Sequence, residues 1–152
     1  MPMLTLDDLG VIRSVDVSTD VGGDTVTVTI TPTYSGCPAI EEMRADVRAT
    51  LADAGFARVE VRTVFSPPWS TDWISADGLR KLAEAGIAPP GRVGATATGP
   101  IPLTLTAPPS AVRCPQCGAP STEELSRFGP TACTALRRCP SCREPFEHMK
   151  EI

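Results

Sequence analysis

Residues Thr25 to Phe65 read TVTVTITPTYSGCPAIEEMRADVRATLADAGFARVEVRTVF, and this stretch decides the fold. In Thr25 to Thr31, Val26, Val28 and Ile30 alternate with threonines. That is the period-two pattern of a β-strand built from branched side chains. Ile40, Met43, Val47 and Leu51 then recur at helical spacing, one apolar stripe with charges opposite. Pro38 suits the first helical position, where its missing N–H costs nothing. Gly55 is placed to end the helix as a left-handed cap. This puts Cys37 at the N-cap or beside it. Val59 to Phe65 alternates again and returns as a strand.

Working outward, Val11 to Val17 (VIRSVDV) is a further strand, joined to Thr25–Thr31 by Gly22-Gly23-Asp24 as an antiparallel hairpin. Downstream, SPPWSTDWISADGLRKLAEAGIAPP makes a loop and a second helix. Ser75 is its N-cap, Ile74 and Leu79 form a hydrophobic staple, and Gly86 with Pro89-Pro90 ends it. The order β-β-α-β plus a second helix predicts an α+β domain over residues 1–88, a small sheet packed on helices. Residues 89–110 are rich in Pro and Gly and read as a linker, with Ile101, Leu103 and Leu105 as an edge strand.

Residues 111–152 carry two cysteine hooks, Cys114-Pro-Gln-Cys117-Gly and Cys139-Pro-Ser-Cys142-Arg, with 21 residues between them. Each hook aims two sulfurs at one tetrahedral ion, and two in tandem are a strong metal signal. A unit this small builds little apolar core, and a metal is the usual remedy. Cys114, Cys117, Cys139 and Cys142 would close a structural zinc site, one ion per chain, within a zinc ribbon. Val112, LSRFG, TACTALRRC and the Phe146–His148 segment supply its short strands. Cys133 is a spare thiol, read as a buried strand residue or a transfer thiol, and His148 is a redundant ligand. The same hooks could hold iron in a rubredoxin-like electron carrier, which the ligand set does not separate from zinc.

The chain has 18 Asp+Glu against 14 Lys+Arg, a formal charge of −4 over 152 residues. That balance argues against a nucleic-acid surface. No apolar run reaches transmembrane length, and Met1 is not followed by an export signal. Six cysteines then read as thiols and metal ligands, and the expected compartment is the cytoplasm. His148 is the single histidine, far in sequence from Cys37, so no Cys–His catalytic pair is expected and the chain is not read as an enzyme. Cys37 itself has two readings, a small buried residue or a thiolate favoured by the helix N-terminus. Trp69 and Trp73 likewise read as aromatic core or as a surface that docks a partner.

The segments LTLDDLGVIRSV, TPTYSGCPAIEEM, SPPWSTDWIS and SRFGPTACTALRRCPSCREPFEHMK resemble the PaaD family over essentially the whole chain. These proteins are accessory components of the phenylacetyl-CoA 1,2-epoxidase system of phenylacetate catabolism. The N-terminal part resembles the wider iron–sulfur-assembly family that includes SufT-like proteins. The resemblance implies a maturation factor that helps assemble metal centres, with the iron–sulfur reductase and di-iron oxygenase subunits as partners. It matches Cys37 to the reactive cysteine of the assembly domain, making a transient contact with iron or an iron–sulfur cluster. Thr33 and Pro38 match its flanking positions. An Asp-Pro-Glu sequence usual in that family ahead of the segment matched by Leu4–Gly10 does not occur here. A purely structural scaffold within the epoxidase complex is the alternative role, and the oligomeric state, a homodimer included, is left open.

Overall fold

A computed structural model describes residues 3–21, 23–93 and 111–152. The chain divides into two compact units, Met1–Gly78 and Leu79–Ile152. The edge strand expected at Ile101, Leu103 and Leu105 lies outside the described residues.

The first unit is an α+β layer. Strands β1 (Ile12–Asp20), β2 (Gly23–Ile30) and β3 (Arg58–Thr63) form one sheet in the order β1-β2-β3. The hairpin is antiparallel, with Val15 opposite Val28 and Val17 opposite Val26. Strand β3 runs parallel to β2, with Val59 beside Val26 and Val61 beside Val28. A parallel neighbour requires a crossover, and helix α1 (Ile40–Asp53) provides it and packs against β3. The strand alternation sets the packing: Val26, Val28, Ile30 and Val61 are buried, as is Val47 on the helix. The other face is polar and wet, with Arg58 on Asp20 at 2.7 Å and Arg62 on Glu60 at 2.8 Å. At the end of α1, Phe56 N donates to Leu51 O and Gly55 N to Ala52 O. These paired bonds close the helix at the expected glycine.

Helix α1 starts later than its apolar stripe suggested. Ala39 takes the N-cap place with no side-chain hydrogen bond, and Met43 N donates to Ala39 O. Cys37 N donates to Tyr34 O and Ile40 N to Cys37 O, so the preceding residues are held in their own turns. Pro38 is therefore outside the helix, and Cys37 does not cap it. Strand β3 also stops short of Phe65, which is exposed.

A knot around Asp8 orders the loop after β3. Thr5 N donates to Asp8 Oδ2 at 2.9 Å, and Asp8 N donates back to Thr5 Oγ1 at 3.0 Å. This is the reciprocal pattern of a capping box. Ser75 joins it from far along the chain, its N donating to Asp8 O at 2.9 Å and its Oγ to Asp8 Oδ1 at 3.3 Å. Gly10 follows with φ 63, and a Cβ there would lie 2.5 Å from Trp73 O. Only glycine satisfies both the left-handed backbone and that approach.

Helix α2 (Ala76–Glu84) is capped as expected, Ser75 Oγ accepting from Gly78 N at 2.9 Å. Ile87 N to Leu82 O and Gly86 N to Ala83 O end it.

The second unit contains an antiparallel sheet in the order β4-β5-β6, from Glu123–Ser126, Thr134–Arg138 and Pro145–Met149. Ala88 extends it beyond β6, with Ala88 N on Glu147 O at 2.8 Å and Met149 N on Ala88 O at 3.0 Å. Ala88, Val112, Cys114, Cys139 and Phe146 form one buried apolar cluster in this unit. The buried Arg137 guanidinium donates to Thr122 Oγ1 and Thr122 O at 3.0 and 2.9 Å. Its charge thus ties the lead-in of β4 to β5. The strand expected over LSRFG ends at Ser126. Ser126 Oγ bonds both the N–H and the carbonyl of Phe128, which turns the chain out of the ladder. Such local side-chain bonds compete directly with strand pairing. Val112 is buried but forms no strand.

Candidate functional site

The two cysteine hooks fold alike. In the first, Cys114 N donates to Ala119 O at 2.9 Å and Gly118 N to Cys114 O at 2.9 Å. In the second, Cys139 N donates to Glu144 O at 3.0 Å and Arg143 N to Cys139 O at 2.8 Å. The repeated bonds hold each loop tight enough to turn both sulfurs inward. The four sulfurs lie within 4.8 Å of one another. Two close separations cross between hooks, Cys114 to Cys142 at 3.7 Å and Cys117 to Cys139 at 3.6 Å.

A tetrahedral zinc at about 2.3 Å from each sulfur would place the sulfurs about 3.8 Å apart. The observed spacing fits a closed four-sulfur metal site. Backbone donors support it: the N–H groups of Ala119 and Glu144 point to Cys117 and Cys142, and those of Cys142 and Ser141 to Cys139. The N–H of Cys142, with that of Ser141 and the adjacent thiols, holds the Cys139 thiol down to about 6, against desolvation. For Cys142 the Glu144 N–H pulls downward, but desolvation and the neighbouring sulfurs outweigh it and push the thiol up to about 12. Cys117 is also raised: the Ala119 N–H opposes the shift, and the Cys139 sulfur and desolvation drive it. Close thiols cannot all ionise together, so Cys139 ionises first and the raised Cys117 and Cys142 give up their protons to a cation.

Cys133 is buried outside this group, its Sγ 3.1 Å from Thr131 Oγ1. His148 is also apart from it, 3% exposed on β6, with Nε2 3.8 Å from Glu151 Oε1. Desolvation lowers its pKa, so it is neutral.

Cys37 lies in the other unit. It follows β2 through the turn Thr31–Gly36, half-buried, with Thr33 buried and Pro38 exposed beside it. Trp69 is 4% exposed and donates its indole N–H to Leu9 O at 2.9 Å, an anchor of the core with no face for a partner. Trp73 is half-buried under Arg13, whose guanidinium carbon lies 3.7 Å from the ring centroid.

Two residues that matter here were not singled out from sequence. Asp8 organises the Leu6–Gly10 turn, and the Thr5-x-x-Asp8 spacing before an apolar run was its signal. Arg143 takes the left-handed position of the second hook, for which the parallel with Gly118 is the only sequence hint.

Two family models match separate parts of the chain. Residues 2–63 match the family described as iron–sulfur cluster assembly protein, and residues 99–150 the PaaD zinc beta ribbon domain. An assembly-type α+β domain followed by a four-cysteine zinc ribbon defines the class of protein. The chain belongs to the PaaD family. A protein from Escherichia coli K12, assigned to a 1,2-phenylacetyl-CoA epoxidase as one of its subunits, is 43% identical over 152 residues, covering 100% of this chain and 84% of that one. An Fe-S protein maturation auxiliary factor from Porphyromonas gingivalis W83 is 37% identical over 76 residues, 49% of this chain and 70% of that one. A solved structure of the DUF59 domain of unknown function from Bacillus anthracis is 28% identical, covers 52% of this chain and 74% of that one, and has a TM-score of 0.45.

Proposed function

We propose that this protein is an accessory maturation factor of the phenylacetyl-CoA 1,2-epoxidase system in aerobic phenylacetate catabolism. It assists assembly of an iron–sulfur or di-iron centre in a partner protein and does not itself epoxidise the ring. The observation that carries this reading is the division of labour among its thiols. Four converge on one closed metal site, whereas Cys37 stands apart in a turn of the assembly domain with its thiol uncommitted.

In this reading zinc fills the four-sulfur site, one ion per chain, and its binding energy is folding energy for the ribbon. With no coordination position left open, the zinc has no part in the chemistry. Cys37 makes the transient contact with iron or a cluster. A thiol can do so as its thiolate, and iron is a metal that accepts sulfur ligands. Buried Thr33 and exposed Pro38 set the shape of the turn that presents it. Six unpaired cysteines suit a reducing compartment such as the cytoplasm.

The test is Cys37→Ser in cells that make the complete epoxidase. Metal content and activity of the reductase and oxygenase subunits should fall toward those of cells lacking the protein. Full metal loading with Cys37→Ser would sink the reading and leave a scaffold role. Metal analysis of the purified protein should find about one zinc per chain. Iron with a visible redox-active absorbance there would instead favour an electron carrier.

A further inference from the structure

The ribbon shows two apolar side chains where nothing in its own unit covers them. Leu125 is 50% exposed and Phe128 is 70% exposed. Neither exposure comes from a loose segment. The β4–β5 register shifts between Glu124 and Ser126, so Leu125 is the extra residue of a bulge. Bulges re-aim a side chain and are common beside functional sites. Phe128 is held by its own backbone: Phe128 N donates to Ser126 Oγ at 3.1 Å and Ser126 Oγ to Phe128 O at 2.9 Å. Gly129 N on Thr134 O at 2.9 Å closes the same turn. Lys150 braces it from the end of β6, its Nζ on Arg127 O at 3.2 Å and 5.1 Å from the Phe128 ring centroid.

The Phe128 ring is mostly exposed, with Lys150 over it, and its backbone is locked. That is the arrangement of a preorganised binding anchor, which loses little freedom on docking. Its surroundings specify the sign of the partner. Arg127 is 81% exposed at its side chain, with only a loose 3.7 Å approach to Glu124. Lys150 supplies a second cation beside the ring. The nearby Arg138 is paired with Glu123 at 2.9 Å, whereas Arg127 is paired more loosely and Lys150 has no ion pair among the described residues. A chain of net charge −4 thus carries a local cationic rim around its most exposed aromatic ring.

We propose that Leu125 and Phe128 are the docking anchor for a partner protein that offers an apolar socket rimmed by carboxylates. This rests on the maturation role, which supplies the partner class: another subunit of the epoxidase.

The experiment measures binding of the full zinc-loaded chain to the purified oxygenase and reductase subunits. Phe128→Ser should weaken binding at least about tenfold, the loss of one hot-spot side chain. Lys150→Glu should weaken it too, and wild-type binding should fall as salt rises. Zinc content and thermal midpoint of Phe128→Ser should stay at wild-type values, since the ring is exposed. Wild-type binding to neither subunit, or unchanged binding by Phe128→Ser, overturns the proposal. So does light scattering that finds a dimer dissociated by Phe128→Ser, which would make the occupant a second copy. Cys37→Ser separates the two ideas: it should bind like wild type, and if it also matures the partner fully, the maturation role fails while the docking result stands.

Discussion

Arg143 stands in the second cysteine hook where Gly118 stands in the first, and both are left-handed, at φ 64 and φ 73. The hook geometry demands this conformation four residues after the leading cysteine, whatever residue is present. A side chain in that region costs about 1–2 kcal/mol, and glycine's extra freedom when unfolded returns part of it. Arg143→Gly should therefore stabilise the zinc-loaded ribbon by about 0.5–1 kcal/mol, read from a shift in the denaturant midpoint. The reverse change makes the control. A Cβ on Gly118 meets nothing within 4 Å, so Gly118→Ala should lose about 1 kcal/mol through conformation alone.

Removing the metal should act on one unit only. One buried cluster of the second unit is Ala88, Val112, Cys114, Cys139 and Phe146, and two of these belong to the four-cysteine site. With a chelator present, amide exchange should become fast in β4, β5 and β6 and stay slow in β1, β2 and β3. Equal loss of protection in both sheets would contradict a ribbon-specific role for the ion.

Zinc affinity should fall with pH in two regimes. Binding requires thiolates, so protons compete with the ion and affinity drops as pH falls. Above about 6 Cys139 is already ionised and adds no proton to that competition, whereas Cys142, pushed up to about 12, adds one throughout. Relative to an ordinary thiol near 9, the lowered Cys139 spares the ion proton competition between about 9 and 6, and below about 6 Cys139 too must give up a proton to bind. A plot of log affinity against pH, measured with a competing chelator, should steepen by about one proton below that point.

Asp8 should matter more than an ordinary surface carboxylate. It is 7% exposed and joins Thr5 to Ser75. Asp8→Ala should cost about 1–3 kcal/mol by orphaning those donors. Thermal unfolding should show Asp8→Asn as the milder change.

What was legible in the sequence was local. The Val26–Val28–Ile30 alternation, the Ile40–Leu51 stripe, the Ser75 cap and the two hooks each depend on residues within a few positions of one another, and each appears in the structure. The turn at Cys37 was misplaced because bonds from Tyr34 and to Ile40 delay the helix beyond Pro38. The LSRFG strand was over-extended because one hydroxyl, Ser126, captured Phe128. The link from Asp8 to Ser75 spans 67 positions and has no local signature at Ser75 beyond its capping role. Exposure was the least legible property. Trp69 reads first as core and second as a docking surface, and its bond to Leu9 O favours core, whereas the bulge that turns Leu125 outward is a matter of register.

The burial of Trp69 and the stacking of Trp73 under Arg13 have an optical consequence. These are the chain's two tryptophans, its one tyrosine is Tyr34, and all three belong to the first unit. Ultraviolet emission excited through indole therefore reports on the assembly domain alone. The ribbon, with no such chromophore, announces itself through sulfur-to-metal charge transfer once a coloured ion such as cobalt replaces zinc. A single cuvette can follow the two halves of this molecule as separate signals.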